Sequence, residues 1–362
     1  MIALGGMAPG PLARLTEGAG ALERQVALLS RQSSEGRRAD VYGDLGVEAP
    51  RAISLRGALV RGDTYGEAID RALGRAAVGQ DTLERLTAIS NDFRAQALLL
   101  VDGDPTRIAA TAAGAQAALH EVAGLLNNTY AGEYVLGGSD VRNPPVPDPG
   151  GILASGMATQ IAAAVAGLVP GGAAAVNAAT LAAAQDNTAG VTPFSVFQTT
   201  GAGATEARRG VPVADGIVVE SGLFAARNAT PGASTGETAG AWSRDLLRGL
   251  MTLAALVPAQ AQDPLTRADY LAIVDTVQRG LDSSTSALAL EQGALGAAEQ
   301  QMDRAAESHA DVAVQLKLQL SDIEEVDLAA TLTALQDTRT RLEASWKALS
   351  MISELSLTKF LR

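Results

Sequence analysis

The chain has 362 residues and a formal net charge of −12, with 38 glycines, no cysteine and only 3% aromatic side chains. The negative charge argues against a nucleic-acid partner, which needs clustered lysines and arginines, and weakly against anionic membrane surfaces. The absence of cysteine excludes disulfides and thiolate sites. Because few large aromatics are available for a globular core, we expect cohesion from long Leu, Ala and Val contacts between helices.

The first 45 residues are predicted to form a coiled-coil segment and a link. The Gly- and Pro-rich start lacks the features of a secretory signal peptide, so any export is expected to use a route without a cleaved signal. Residues 30–44 are polar and Gly-rich, which is typical of a loop. The apolar residues before them alternate in spacing by three and four, as in a coiled-coil seam: Leu12, Leu15, Ala19, Leu22, Val26 and Leu29.

Residues 46–137 are predicted to form the first half of a helical rod. Helical patterns extend over 47–96 and 106–128, separated by the Asp-Gly-Asp-Pro break, and a short strand is predicted at 134–136. Residues 138–243 are poor in charge and rich in Gly, Ala, Thr and Pro, so they are expected to form an inserted domain that differs from the helical stretches on either side.

The composition of this middle region predicts mixed structure. Strands are expected at 194–197 and 217–219, and one or two short helices are expected within 158–184.

Helical periodicity resumes near Trp242, so residues 244–321 are predicted to complete the rod and residues 322–362 to form a last coiled-coil helix. The acidic run at 322–327 suits the start of that helix. Its apolar residues are spaced mainly by three, four or seven: Leu328, Leu332, Leu335, Leu342, Trp346, Leu349, Ile352 and Leu355. The predicted fold is mainly α, a long antiparallel helical rod from both chain ends with a smaller β-containing or mixed domain inserted in the middle.

The two terminal stripes have two interpretations. They pair with each other inside an ordinary antiparallel bundle, or they pair between subunits as an assembly interface. No catalytic constellation competes with these, because His120 and His309 are far apart in the chain and no residue set has the spacing of a metal site. Neither the Gly-Ala-Gly-Ala run at 201–204 nor the acidic run fits a nucleotide or calcium motif. We therefore predict no enzymatic activity, no cofactor and no metal.

Three segments of the chain resemble the flagellin superfamily, and within it the hook–filament junction proteins, the third group of hook-associated proteins. Residues 28–46 (LLSRQSSEGRRADVYGDLG) and 127–145 (NNTYAGEYVLGGSDVRNPP) carry the amino-terminal likeness. Residues 323–361, with LEAS at 342–345 and the ending SELSLTKFL, resemble a junction protein more than a filament flagellin. The chain departs from the family in its Gly- and Pro-rich start and in lacking a clear D-D-x-A segment.

The resemblance implies a structural part of the bacterial flagellum, an adaptor that joins hook to filament by helical self-assembly. It implies partners among other copies, another hook-associated protein, flagellin and a cytoplasmic export chaperone, and an extracellular location after flagellar type III export. Terminal helices of an isolated subunit are expected to fray until assembly orders them. The alternatives are a filament-forming flagellin and, from a different class, a helical enzyme or ligand-binding protein with its site in the middle domain.

Overall fold

The computed structural model describes residues 11–228 and 236–360. It is mainly α, as predicted, with long helices at both ends and two-stranded sheets in the middle. The helices are α1 (Pro11–Glu35), α2 (Ala49–Leu99), α3 (Pro105–Leu126), α4 (Gly156–Ala166), α5 (Ala173–Gln185), α6 (Val196–Thr199), α7 (Trp242–Ala255), α8 (Pro258–Gln262), α9 (Arg267–Glu324) and α10 (Leu328–Phe360). The strands are β1 (Thr129–Tyr130), β2 (Glu133–Tyr134), β3 (Gly210–Ala214) and β4 (Ile217–Glu220).

The chain divides into two compact units, each described here by itself. Unit 1 comprises residues 1–64 and 309–362, and unit 2 comprises residues 65–308. The five-part division expected from composition remains a prediction. Among the described helices, none has the length and apolar character required to cross a membrane.

In unit 2, helices α2 and α9 run antiparallel. The Gln80 side chain donates a hydrogen bond to the carbonyl of Gln292, and the Ser90 hydroxyl donates to the carbonyl of Leu281. Residue numbers therefore fall along α9 as they rise along α2. Leucines and isoleucines at helical spacing on both helices are fully buried beside these bonds. The predicted long antiparallel helices are therefore present.

Helix α7 lies at the centre of the unit 2 core. It packs against α3, α4 and α5, and every residue from Trp242 to Leu253 is buried. A helix surrounded on all sides must also bury polar residues. The Arg244 guanidinium donates to the Ala184 carbonyl and to the Asn187 side chain, whereas the buried Ser243 hydroxyl has no partner among the described residues.

The β1–β2 hairpin directly follows α3. Its turn contains Ala131 and Gly132 at positive φ, and β2 begins one residue before the predicted strand and ends at Tyr134. The predicted strand at 217–219 is present as β4, which pairs antiparallel with β3. One or two short helices were predicted within 158–184, and two are present there, α4 and α5.

Two local predictions were wrong. The strand predicted at 194–197 is a turn into the short helix α6, because the Thr199 hydroxyl bonds back to the Ser195 carbonyl and no strand pairs with this run. A loop was predicted from residue 30, but helix α1 continues to Glu35. The hydroxyls of Ser33 and Ser34 donate hydrogen bonds to the carbonyls of Ser30 and Arg31, so these polar residues are accommodated within the last turn of the helix.

Candidate assembly interface

The two terminal helices, α1 and α10, pack against each other in unit 1. The end of α1 lies beside the start of α10: the Arg38 amide donates to the Glu324 carbonyl at 2.7 Å, and the Val326 amide donates to the Gly36 carbonyl at 3.0 Å. Because α1 ends where α10 begins, the two helices run antiparallel. The two predicted stripes are thus brought to one helix pair.

The buried face of α10 follows an exact alternation of four and three residues, which is a coiled-coil seam. Leu335 is 7% exposed, and the threonines on either side, Thr331 and Thr338, are equally buried. The Thr338 hydroxyl donates to the Ala334 carbonyl, so this buried hydroxyl has a partner. Further along the same face, half-buried positions continue the series: Leu342, Ser345, Leu349 and Ile352.

The face of α1 has the matching spacing. Ala19 is 3% exposed, the most buried side chain described on this helix, and its small size allows close helix packing. The four predicted residues around it are half-buried: Leu15, Leu22, Val26 and Leu29. These four positions and Ala19 lie on one face of α1, and the most buried contact of that face is an alanine.

Three residues of the predicted α10 stripe lie outside the seam. Leu328, Leu332 and Trp346 are 49%, 53% and 53% exposed. Leu332 and Trp346 are two heptads apart, so they share one edge of α10 beside the seam. The side chains of Leu12 and Leu355 lie outside the described part of the chain.

Sequence reasoning missed the two seam threonines because it selected only apolar residues. Threonine is β-branched and close to valine in size, so it packs in a helix seam once its hydroxyl has an intrahelical acceptor. A search for strict alternation by three and four, with Thr and Ser allowed, would have found the seam from 331 to 352.

The link between α1 and the rest of unit 1 is fixed by specific residues. Gly36 ends α1 at a φ of +70°, which a side-chain-bearing residue would adopt only with strain. Asp327 caps α10, since its carboxylate accepts the amides of Ala329 and Ala330 at 2.9 and 3.1 Å. Gly36 lies within residues 35–38, on which part of the amino-terminal resemblance rests.

An arginine–glutamate pair joins α2 to the end of α9 within unit 1. The Arg56 Nε atom lies 3.0 Å from Glu324 Oε1, and Arg56 Nη2 contacts the second carboxylate oxygen. The hydrogen bond to Glu324 and its charge raise the pKa of Arg56, against a smaller opposing effect of burial. The bidentate geometry orients the α2 and α9 segments beside the link.

Unit 1 has very little apolar core. Among its described residues, the buried apolar side chains are Ala19, Ala52, Ile323 and Leu335. The large apolar side chains that it exposes are Leu28, Val41, Tyr42, Val47, Ile53, Val60, Val312, Val314, Leu318, Leu328, Leu332, Trp346 and Met351. The exposed apolar side chains of unit 1 therefore offer surface for packing against other molecules.

In the described residues, no group of three or more His, Asp or Glu is arranged to hold a metal ion.

Comparison with known families gives one match. Residues 279–361 match the family model of the bacterial flagellin C-terminal helical region. The matched range contains the carboxyl-terminal part of α9 and all of α10, so it includes the seam and the exposed edge of α10. No curated protein sequence matches the chain.

Proposed function

We propose that this chain, whose carboxyl-terminal helices are flagellin-like, is a structural and non-enzymatic protein of the bacterial flagellum that self-assembles through its terminal helices. The observation that carries the proposal is the composition of unit 1, which exposes many large apolar side chains and buries few. The family match over α9 and α10 supports a flagellar structural role for this surface.

The energetics favour a second copy as the cover for this surface. Burying one large apolar side chain contributes roughly 1.5–3 kcal/mol. Leu332 and Trp346 together with the exposed residues of α2 and α9 could therefore contribute several kcal/mol for each neighbour that covers them. An isolated subunit lacks this contribution, which couples the order of the terminal helices to assembly.

The finer proposal is an adaptor at the junction of hook and filament. Its support is the ending SELSLTKFL and the LEAS segment, which resemble junction proteins more than filament flagellins. On this proposal the partners are further copies, another hook-associated protein, flagellin and an export chaperone, and the protein works outside the cell. A filament-forming flagellin is the second candidate, because the family match fits both.

The self-assembly proposal is tested by removing the exposed edge of α10. The double variant L332A/W346A is expected to abolish sedimentable polymer while the monomer keeps its helical content, because neither side chain lies in the α1–α10 seam. The measurement is pelleting and negative-stain microscopy after concentration on flagellar seeds. The matched control is L265A/L290A, which truncates two exposed leucines of unit 2 that are 71% and 70% exposed.

Normal polymer from L332A/W346A, or equal loss from both double variants, would contradict the proposal. Junction and filament roles are separated by labelling the protein on purified flagella. A short labelled zone at the hook end supports the adaptor, whereas label along the whole filament supports a flagellin.

A further inference from the structure

Unit 2 contains a cleft enclosed by α2 and by both hairpins, with a volume of about 460 Å³. Ala68 and Ala72 of α2 line the cleft, as do Val211 and Pro212 of β3. The volume falls in the range of small-molecule sites, and the alanines leave an apolar floor. The cleft lies entirely within unit 2 and shares no residue with the proposed assembly surface.

The cleft is positively charged in a chain that is strongly negative. Arg71, Arg75 and Arg209 line it together with a single carboxylate, that of Glu133. The Nη1 atoms of Arg75 and Arg209 lie 2.9 and 3.0 Å from the same Glu133 oxygen. Three guanidinium groups and one carboxylate line the cleft, which leaves an excess of two positive charges among its lining residues.

Arg71 and Arg209 have hydrogen-bonding capacity to spare. Arg71 donates from Nε to the Glu67 carbonyl at 3.1 Å, and no further bond of its guanidinium is found in the described part of the chain. Arg209 is bonded to Glu133 through Nη1. Their remaining N–H groups have the fork geometry that binds a carboxylate with two hydrogen bonds.

The walls of the cleft are held in place. Arg75 is 15% exposed and donates to the carbonyls of Tyr134 and Val135 in addition to Glu133. Gly74 allows Tyr130 to lie directly on α2, since a Cβ there would clash with the tyrosine hydroxyl. Burial, and next the charge of Arg209, lower the pKa of Arg75, which means that its charged form is disfavoured in the cleft. An additional anion in the cleft would stabilise this charged form.

We propose that this cleft binds a small molecule with one carboxylate on a ring body, the chemical class of a uronic acid. Arg71 and Arg209 bind the carboxylate, and Tyr130 and the apolar floor pack against the ring. A carboxylate on a ring is favoured over inorganic phosphate because Tyr130 and the apolar floor contact a ring body, which phosphate lacks.

The probe is glucuronate, titrated into the full-length monomeric chain and followed by calorimetry. We expect saturable binding at least about tenfold tighter than that of glucose, because glucose lacks the carboxylate that accepts charge-assisted hydrogen bonds from the arginines. Inorganic phosphate is expected to bind more weakly than glucuronate.

Single substitutions test which side chains of the cleft bind the carboxylate. R71Q and R209Q are each expected to weaken glucuronate binding about tenfold or more. E133Q is expected to tighten it several-fold, because it removes the internal competitor for Arg75 and Arg209; a purely structural role for Glu133 would not produce a gain. The matched control is R94Q, which lies on α2 like Arg71 and breaks the exposed ion pair between Arg94 and Asp282.

Thermal unfolding of every variant checks that the fold is intact. The proposal is overturned by absence of saturable glucuronate binding, by phosphate binding as tightly as glucuronate, by R71Q binding like the unaltered chain, or by weaker binding to a folded E133Q. Since titration uses the monomer, none of these outcomes depends on whether the chain assembles.

Discussion

At the scale of single residues, Asp245 shows how burial changes chemistry. It lies in the first turn of α7 and is 2% exposed, and its carboxylate accepts the Ala239 amide at 2.6 Å. Burial raises the pKa of Asp245 to about 6, although the hydrogen bonds and the charge of Arg248 oppose the shift. In the sequence the same residue looks like an ordinary helix-start acid that favours the helix dipole.

Asp245 is expected to make stability depend on pH. Because its folded-state pKa is raised above the unfolded value of 3.8, its contribution is fully present below pH 3.8 and is lost as pH rises through about 6. Asn at this position does not titrate. We therefore expect D245N to gain up to about 3 kcal/mol relative to the unaltered chain between pH 4 and pH 8.

Urea unfolding of the two proteins at several pH values measures this difference. A stability difference that is the same at both ends of the pH range would show that Asp245 ionises normally in the folded protein.

At the scale of elements, α10 has two apolar surfaces that a helical pattern alone does not separate. The seam with α1 contains Leu335 between two threonines, while Leu332 and Trp346 lie on the adjacent edge. A wide apolar stripe is the ordinary signature of a helix that packs on one partner. Here the stripe is wide because it combines an intramolecular seam with an exposed edge.

The pair L335A and L332A tests this separation with the same substitution on one helix. L335A is expected to destabilise the α1–α10 pair by about 2–4 kcal/mol, because it removes a buried side chain from the seam. L332A is expected to change the stability of the monomer by less than about 0.5 kcal/mol. Hydrogen exchange of the α10 amides reports the stability of this pair directly.

Faster exchange in L332A than in L335A would reverse the assignment of the two faces.

At the scale of the whole molecule, the two units differ in how much of their apolar side-chain surface is buried. Unit 2 buries a continuous core around α7, whereas the described part of unit 1 exposes many of its large apolar side chains and fully buries few. The two tryptophans report these environments separately: Trp242 is 1% exposed in unit 2, and Trp346 is 53% exposed in unit 1.

The variant W242F leaves Trp346 as the sole tryptophan. Its emission in the monomer is expected at the long wavelengths of a solvated indole, and assembly is expected to shift it to shorter wavelengths as neighbours cover the ring. W346F, which retains only Trp242, is the control and should show no shift. An emission of W242F that stays unchanged in the polymer would exclude Trp346 from the interface.

The sequence by itself determined the helices, the mixed middle and the two terminal stripes, because helix periodicity, Pro and Gly breaks and capping residues act over a few neighbouring positions. Only the tertiary structure decided which edge of α10 meets α1, that Asp245 is buried, and that Arg71, Glu133 and Arg209 line one cleft. These depend on segments far apart in the chain, and local spacing carries no information about which of two similar apolar faces a distant partner will cover.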